Sequence, residues 1–394
     1  MVSPEASRRN PFIDRLRGLS IFLVLSGHSL RYIGWWAQEF PDWIKHQIIT
    51  SAYYGVTIFF VISGYLITAK FVWPEDNRIY LDLRKFYVQR IGRIIPPLSL
   101  LLVVSFLLAV YLGAPVDPPS IVRGFAYLLQ LSFGAAATLI PHVESSYDPL
   151  WSLAVEEAFY IFLPLVCLLA VTKSRLVVVL VIAFISGYFY RSEPKYIYSF
   201  FATFDQLALG GLLAVFAGKL RGAIPDVYLP PLRWLGLIGI STLCATTDAT
   251  VDPHWVSLIA LSAALYIVGS PDTQVSSRFP LRLVEAFGRL SYEIYLAHLV
   301  LFWAMAPWGV KLQVPISMLA SRFAQIGIAP VMSTGAANLM LLFASLAVNL
   351  AVCFAIAKLY SEPINRAIRA SMQDGIDGSE QSPVAVDHVH SEPA

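Results

Sequence analysis

The sequence predicts an all-α, polytopic membrane helix bundle of about ten transmembrane helices, with one further re-entrant or interfacial segment. Three observations carry this expectation. Of the 394 residues, 57% are hydrophobic and 14% charged, and the mean hydropathy is +0.64, far from the composition of a water-soluble domain. The apolar residues gather into runs long enough to cross roughly 30 Å of hydrocarbon as helices. Short basic clusters separate those runs. With a net charge of +2 dispersed in this way, no basic stripe forms, and no nucleic-acid partner is expected.

Taken in order, the runs cover residues 18–34, 51–71, 94–112, 150–171, 176–190, 197–217, 232–249, 255–269, 290–308 and 336–357. An eleventh, 121–140, is interrupted by Arg123, Gln130 and Gly134. The positive-inside rule decides its status. With Arg8, Arg9, Arg15 and Arg17 cytoplasmic and 121–140 not crossing, the basic connections at 78–93, 173–175, 219–221, 278–289 and 358–369 all fall on the inner side. A full crossing by 121–140 reverses the next two. The expectation is therefore a multi-pass protein of the cell membrane with both termini cytoplasmic. The first run carries on into Trp35 and Trp36 without a small-residue cleavage site, so it is expected to stay as an anchor. Residues 1–366 form the membrane domain, and 367–394, polar and dotted with glycine and proline, a disordered cytoplasmic tail. Cys167, Cys244 and Cys353 have no metal-type spacing, and neither a disulfide framework nor a metal site is expected.

Ionisable residues inside apolar runs are costly and generally face a bundle interior or a wet cavity. His28 lies eleven residues beyond Arg17, a climb of about 16 Å, or half the hydrocarbon thickness. Glu156 and Glu157 stand about 8 to 10 Å inward from Trp151, which would bring them to the same level from the opposite face. Asp205 and His298 approach that layer too, at about 12 and 13 Å from the ends of their runs. An imidazole and a carboxylate in one dry layer make a base and its orienter; satisfied interhelical hydrogen bonds are the plainer alternative. Arg90 and Arg93 are three apart on one helix face, where they grip a phosphate or snorkel to lipid headgroups. Ser63 and Gly64 read as a helix-packing contact.

These residues stand in motifs that resemble the acyltransferase 3 family of integral membrane acyltransferases. In order, the motifs are Arg17 followed by His28, Phe59-Phe60-x-x-Ser63-Gly64, Arg90-x-x-Arg93-Ile94-x-Pro96, Trp151-Ser152-Leu153-x-x-Glu156-Glu157-x-Phe159-Tyr160, Asp205-Gln206-Leu207-x-Leu209-Gly210, Ser291-Tyr292-x-x-Tyr295-Leu296-x-His298, and Glu362-Pro363. The chain departs from the family pattern at Thr57, where an acidic residue is frequent, and at Thr203, where an arginine is. The resemblance implies O-acyl transfer, commonly of acetyl from acetyl-CoA, to a sugar hydroxyl of a surface polysaccharide, a lipid-linked glycan or a glycosylated metabolite. It also implies that Arg17, His28 and the arginine pair are essential.

The expected mechanism puts the phosphates of an acyl-CoA at Arg90 and Arg93 with Arg17 nearby, and His28 as general base oriented by Glu156 or Glu157. Ser63, Trp151, Asp205, Tyr292 and His298 are expected to support the site. Acyl-CoA is a donor substrate and no permanently bound cofactor is expected; direct transfer and a covalent acyl-enzyme both remain open. No extracellular hydrolase-like domain is expected after the membrane part, and acceptor delivery is expected to fall to the membrane part or to a partner in glycan biosynthesis or export. Two other classes compete: a transporter of a glycan or small solute that uses the intramembrane cluster as a proton relay, and a non-catalytic member of a glycan-export assembly.

Overall fold

A computed structural model describes residues 10–37, 40–72, 77–111, 150–191, 201–249, 251–271, 278–302, 304–305 and 334–373. The architecture is a bundle of helices. Among the described residues seven stretches are long and apolar enough to cross a bilayer, and strand-type pairing is limited to two isolated bridges. The described part of each of the ten predicted runs lies mainly on a helix, though only these seven helices are long and apolar enough to cross, and the segment 121–140 lies outside the described residues.

Helix α1 (Pro11–Ile33) starts where Asn10 caps the Phe12 N–H at 2.9 Å and Pro11 takes a position whose N–H has no helical acceptor. Arg15 and Arg17 are thus within the helix rather than ahead of it. Helix α2 (Asp42–Thr68) is the central element, buried along most of its length, and 27 residues make it about 40 Å long. It begins nine residues before the predicted run.

The two run antiparallel in tight contact. A Cβ added to Gly27 would meet Ala52 and the Ile48 and Ile49 carbonyls, and one on Gly55 the Ser20 carbonyl. By those contacts His28 is level with the first third of α2, and Arg17 with the stretch just before its last third.

Helix α3 (Leu83–Tyr111) contains Pro96 and Pro97, and α4 (Leu150–Ala170) contains Pro164. Arg78 bridges to Thr172, and the Lys173 N–H donates to the Asn77 carbonyl at 2.8 Å. The start of α3 and the end of α4 are therefore tied together at one end of the bundle, here called basal, which also holds the start of α1. The far ends of these two helices, Tyr111 and Leu150, consequently both point away from the basal end, the parity that the basic clusters imply.

The remaining helices are α5 (Lys173–Tyr190), α6 (Phe204–Ala223), α7 (Leu229–Thr246), α8 (Trp255–Val268), α9 (Leu281–Arg289), α10 (Ser291–Phe302), α11 (Thr334–Ile356) and α12 (Glu362–Gln373). Helix α9 docks on α1 through an Arg15–Glu285 ion pair of 2.9 Å. Helix α12 packs on α3. The predicted boundary between domain and tail at 366/367 falls inside α12, so 367–373 are helical, and 374–394 lie outside the described residues.

Helices α2 and α6 meet backbone to backbone. A Cβ on Gly64 would stand 2.0 Å from the Leu207 carbonyl, and one on Gly210 2.1 Å from that of Val61. The packing expected of Gly64 is thus explained by close approach of the main chains. Gly64→Ala is expected to push the pair apart and cost about 1–3 kcal/mol, read as earlier heat-induced aggregation in detergent. Wild-type thermal behaviour would contradict this contact.

Candidate active site

The bundle holds an open-mouthed cavity lined by α1, α2, α3, α4 and α10. Three guanidinium groups face it, those of Arg17, Arg90 and Arg93, together with one carboxylate, Glu156. The helical period explains the arginine pair: a spacing of three turns both side chains the same way. Arg90 lies over the Tyr160 ring at 4.7 Å and the Phe86 ring at 5.4 Å, and Arg93 over the Tyr292 ring at 5.9 Å. Cation–π contacts of this kind hold a charge in place while its N–H edge stays available.

Glu156 accepts hydrogen bonds at both oxygens, from the Ser63 hydroxyl at 2.8 Å and from the Tyr160 hydroxyl at 3.0 Å. Among the described residues none of the three arginines makes an ion pair within 4 Å. Two buried polar atoms in the wall, Arg90 Nε and Ser291 Oγ, have no hydrogen-bond partner among those residues. Excess positive charge and unsatisfied donors in a concave site suit an anion with several acceptor oxygens.

His28 belongs to a different cluster. Its Nδ1 is 2.7 Å from His298 Nε2, with the two rings nearly parallel at 13°. His298 is fully buried, and its Nδ1 lies 2.7 Å from the Tyr295 carbonyl and 3.1 Å from that of Ile294. Tyr295 joins the two clusters. Its hydroxyl pairs with that of Ser152 and its side chain lines the arginine cavity, while its backbone carbonyl receives His298.

The expected meeting of His28 with Glu156 or Glu157 is therefore corrected: His28 pairs with His298 instead. Register gives the reason. Trp151 is not at the edge of the bundle, since it stacks on Tyr53, eleven residues or about 16 Å along α2 from Asp42, and meets Phe60 edge-on. Glu156, further still towards the basal end, joins Ser63 at the level of Arg17. His28 is left roughly 15–20 Å away along α1. Glu157 is half-buried beside Glu156 and is not in the cavity wall. Tyr292 lines the cavity and donates to the Ile94 carbonyl at 3.3 Å. Trp151 acts through packing of α4 on α2.

Asp205 is also placed differently. It stands in the first turn of α6, and its carboxylate is held bidentately by the fully buried Arg191, at 2.8 and 2.7 Å. Ser257 on α8 bonds both partners, and Arg191 Nε donates to the Pro253 carbonyl at 3.0 Å. This is a structural clamp joining α5, α6 and α8. Sequence reading missed Arg191 because Arg-Ser-Glu-Pro-Lys looks like a polar loop. The signal was Asp205 itself, a lone carboxylate in an apolar helix, which needs a cation within reach. At the two positions of departure, the Thr57 hydroxyl donates to the Tyr53 carbonyl of its own helix, and Thr203 immediately precedes α6.

Helical membrane architecture, a cavity faced by three arginines, and a histidine pair further along α1 define the class. The chain belongs to the acyltransferase domain family, whose model matches residues 10–358. Among its relatives, a protein of Staphylococcus aureus strain MSSA476, provisionally named an O-acetyltransferase, is 26% identical over 341 residues, covering 78% of this chain and 53% of that one. The peptidoglycan O-acetyltransferase OatA of Listeria monocytogenes is 27% identical over 321 residues, covering 73% and 48%. A Bacillus subtilis protein provisionally named a peptidoglycan O-acetyltransferase is 33% identical over 180 residues, covering 43% and 26%. The chain spans about half the length of the first of these relatives. No solved structure matches it.

Proposed function

We propose that the protein is a membrane O-acyltransferase that moves an acyl group, acetyl in the simplest case, from acyl-CoA to a sugar hydroxyl of a surface polysaccharide, a lipid-linked glycan or a glycosylated metabolite. The observation that carries this reading is the cavity in which Arg17, Arg90 and Arg93 face a single carboxylate, with unsatisfied donors in its wall. In this reading the basal end is cytoplasmic, in the cell membrane, and the CoA phosphates bind the three arginines. Glu156 keeps those cations from repelling one another while the site is empty, and the Ser63 and Tyr160 hydroxyls hold it in place. The acyl arm extends past the Ser152–Tyr295 pair towards His28. The acceptor enters from the opposite end, and His28 removes its hydroxyl proton. The names of the relatives support O-acetyl transfer, and two of them name a glycan polymer, peptidoglycan.

The experiment is transfer of labelled acetyl from acetyl-CoA into a glycan fraction by membranes containing the protein. Incorporation is expected to depend on the protein. Arg90→Gln and Arg93→Gln are each expected to raise the donor KM about 10- to 100-fold, as loss of a charge-assisted bond worth roughly 1.5–3 kcal/mol requires, with kcat nearly unchanged. An unchanged donor KM in both variants would remove the phosphates from this cavity. Solute uptake without acyl transfer would favour a transporter.

A further inference from the structure

We propose that His298 is a positioning residue that fixes the tautomer of His28, so that His28 presents the Nε2 lone pair to the acceptor hydroxyl. The proposal rests on the function given above and assigns a role within that site. The Tyr295 and Ile294 carbonyls can only accept, so the His298 nitrogen that faces them at 2.7 and 3.1 Å carries hydrogen. In a neutral imidazole the other nitrogen, Nε2, then holds a lone pair. That atom is 2.7 Å from His28 Nδ1, which must donate to it. His28 in turn keeps its own lone pair on Nε2. Two backbone carbonyls thus dictate, through one intervening ring, which nitrogen of the base is basic.

Burial supports the division of roles. His298 is fully buried, with Phe302 edge-on at 5.9 Å and Tyr295 at 5.8 Å, whereas His28 is half-buried. His298 therefore acts through His28. In the transfer step the acceptor O–H bond breaks as N–H forms at His28 Nε2, the ester C–O bond forms as the thioester C–S bond breaks, and the proton on Nε2 passes to the departing thiolate. While His28 is charged, its Nδ1 proton can shift to His298 Nε2, so two rings share one positive charge.

The test compares His298→Ala with His298→Gln, whose amide oxygen can accept from His28 Nδ1 as the ring nitrogen does. His298→Ala is expected to lower kcat about 100-fold with donor and acceptor KM within a factor of about three, and His298→Gln to recover to within about tenfold of wild type. A loss in KM alone, wild-type activity in His298→Ala, or a glutamine variant as inactive as the alanine one would each overturn the assignment. Nitrogen NMR of histidine-labelled wild-type protein, with the pair recognised by the coupling across its N–H···N hydrogen bond, reads the tautomers without depending on variant folding. Both rings are expected as the Nδ1–H form, and an Nε2–H form at His28 would overturn the proposal. If His28→Ala itself retained full activity, the base assignment would fail instead, a result distinct from any of these.

Discussion

Replacing His28 by alanine is expected to lower kcat for acyl transfer by about 10²- to 10⁴-fold, the usual contribution of a positioned general base, with much less effect on donor KM. The geometry separates the two parameters. Donor phosphates are assigned to the arginine cavity at the level of Arg17, while His28 lies roughly 15–20 Å along α1, near the opposite end of that helix. Removing the imidazole leaves the Ser63–Glu156–Tyr160 network and the three arginines in place. Steady-state kinetics on membranes, with donor and acceptor varied separately, check the expectation. A tenfold rise in donor KM with unchanged kcat would mean that His28 binds the donor and does not accept the proton.

Arg191→Leu is expected to cost about 3–5 kcal/mol of stability, because it leaves Asp205, 1% exposed, as a buried carboxylate without its cation. The guanidinium contacts two carbonyls, one carboxylate and one hydroxyl, so the loss extends to α8 through Pro253 and Ser257. The double change Arg191→Leu with Asp205→Leu is expected to recover much of the loss, since an apolar pair of similar size removes the uncompensated charge. Heating in detergent followed by size-exclusion chromatography measures both. An Arg191→Leu variant as heat-resistant as wild type would show that the clamp contributes little.

How far the sequence could be read depends on whether a feature is local or tertiary. The arginine pair was legible because helical periodicity alone turns Arg90 and Arg93 to one face. Each apolar run lay on a helix for the same reason, although α1, α2 and α3 start seven, nine and eleven residues before the predicted edges. In each case polar residues that looked like connecting loop are helical, and at the start of α2 and α3 several of them are exposed. His28 and His298 stood out as ionisable groups in apolar surroundings, but 270 residues separate them and nothing local records their pairing. The level expected of Glu156 is wrong because its depth is counted from Trp151 at the start of an apolar run, and that start is not the edge of the bundle. The true neighbours of Trp151, Tyr53 and Phe60, come from the long central helix, whose length the hydropathy underestimates.

The clamp at the facing ends of α5 and α6 also bears on how the chain enters the bilayer. A lone arginine or aspartate in a nascent segment disfavours partitioning into lipid by up to about 2.5–3.5 kcal/mol. Arg191 and Asp205 are synthesised fourteen residues apart and cancel one another only when both segments are present. Biogenesis therefore favours release of α5 and α6 from the translocon as a single helical hairpin, with α8 sealing it afterwards through Ser257.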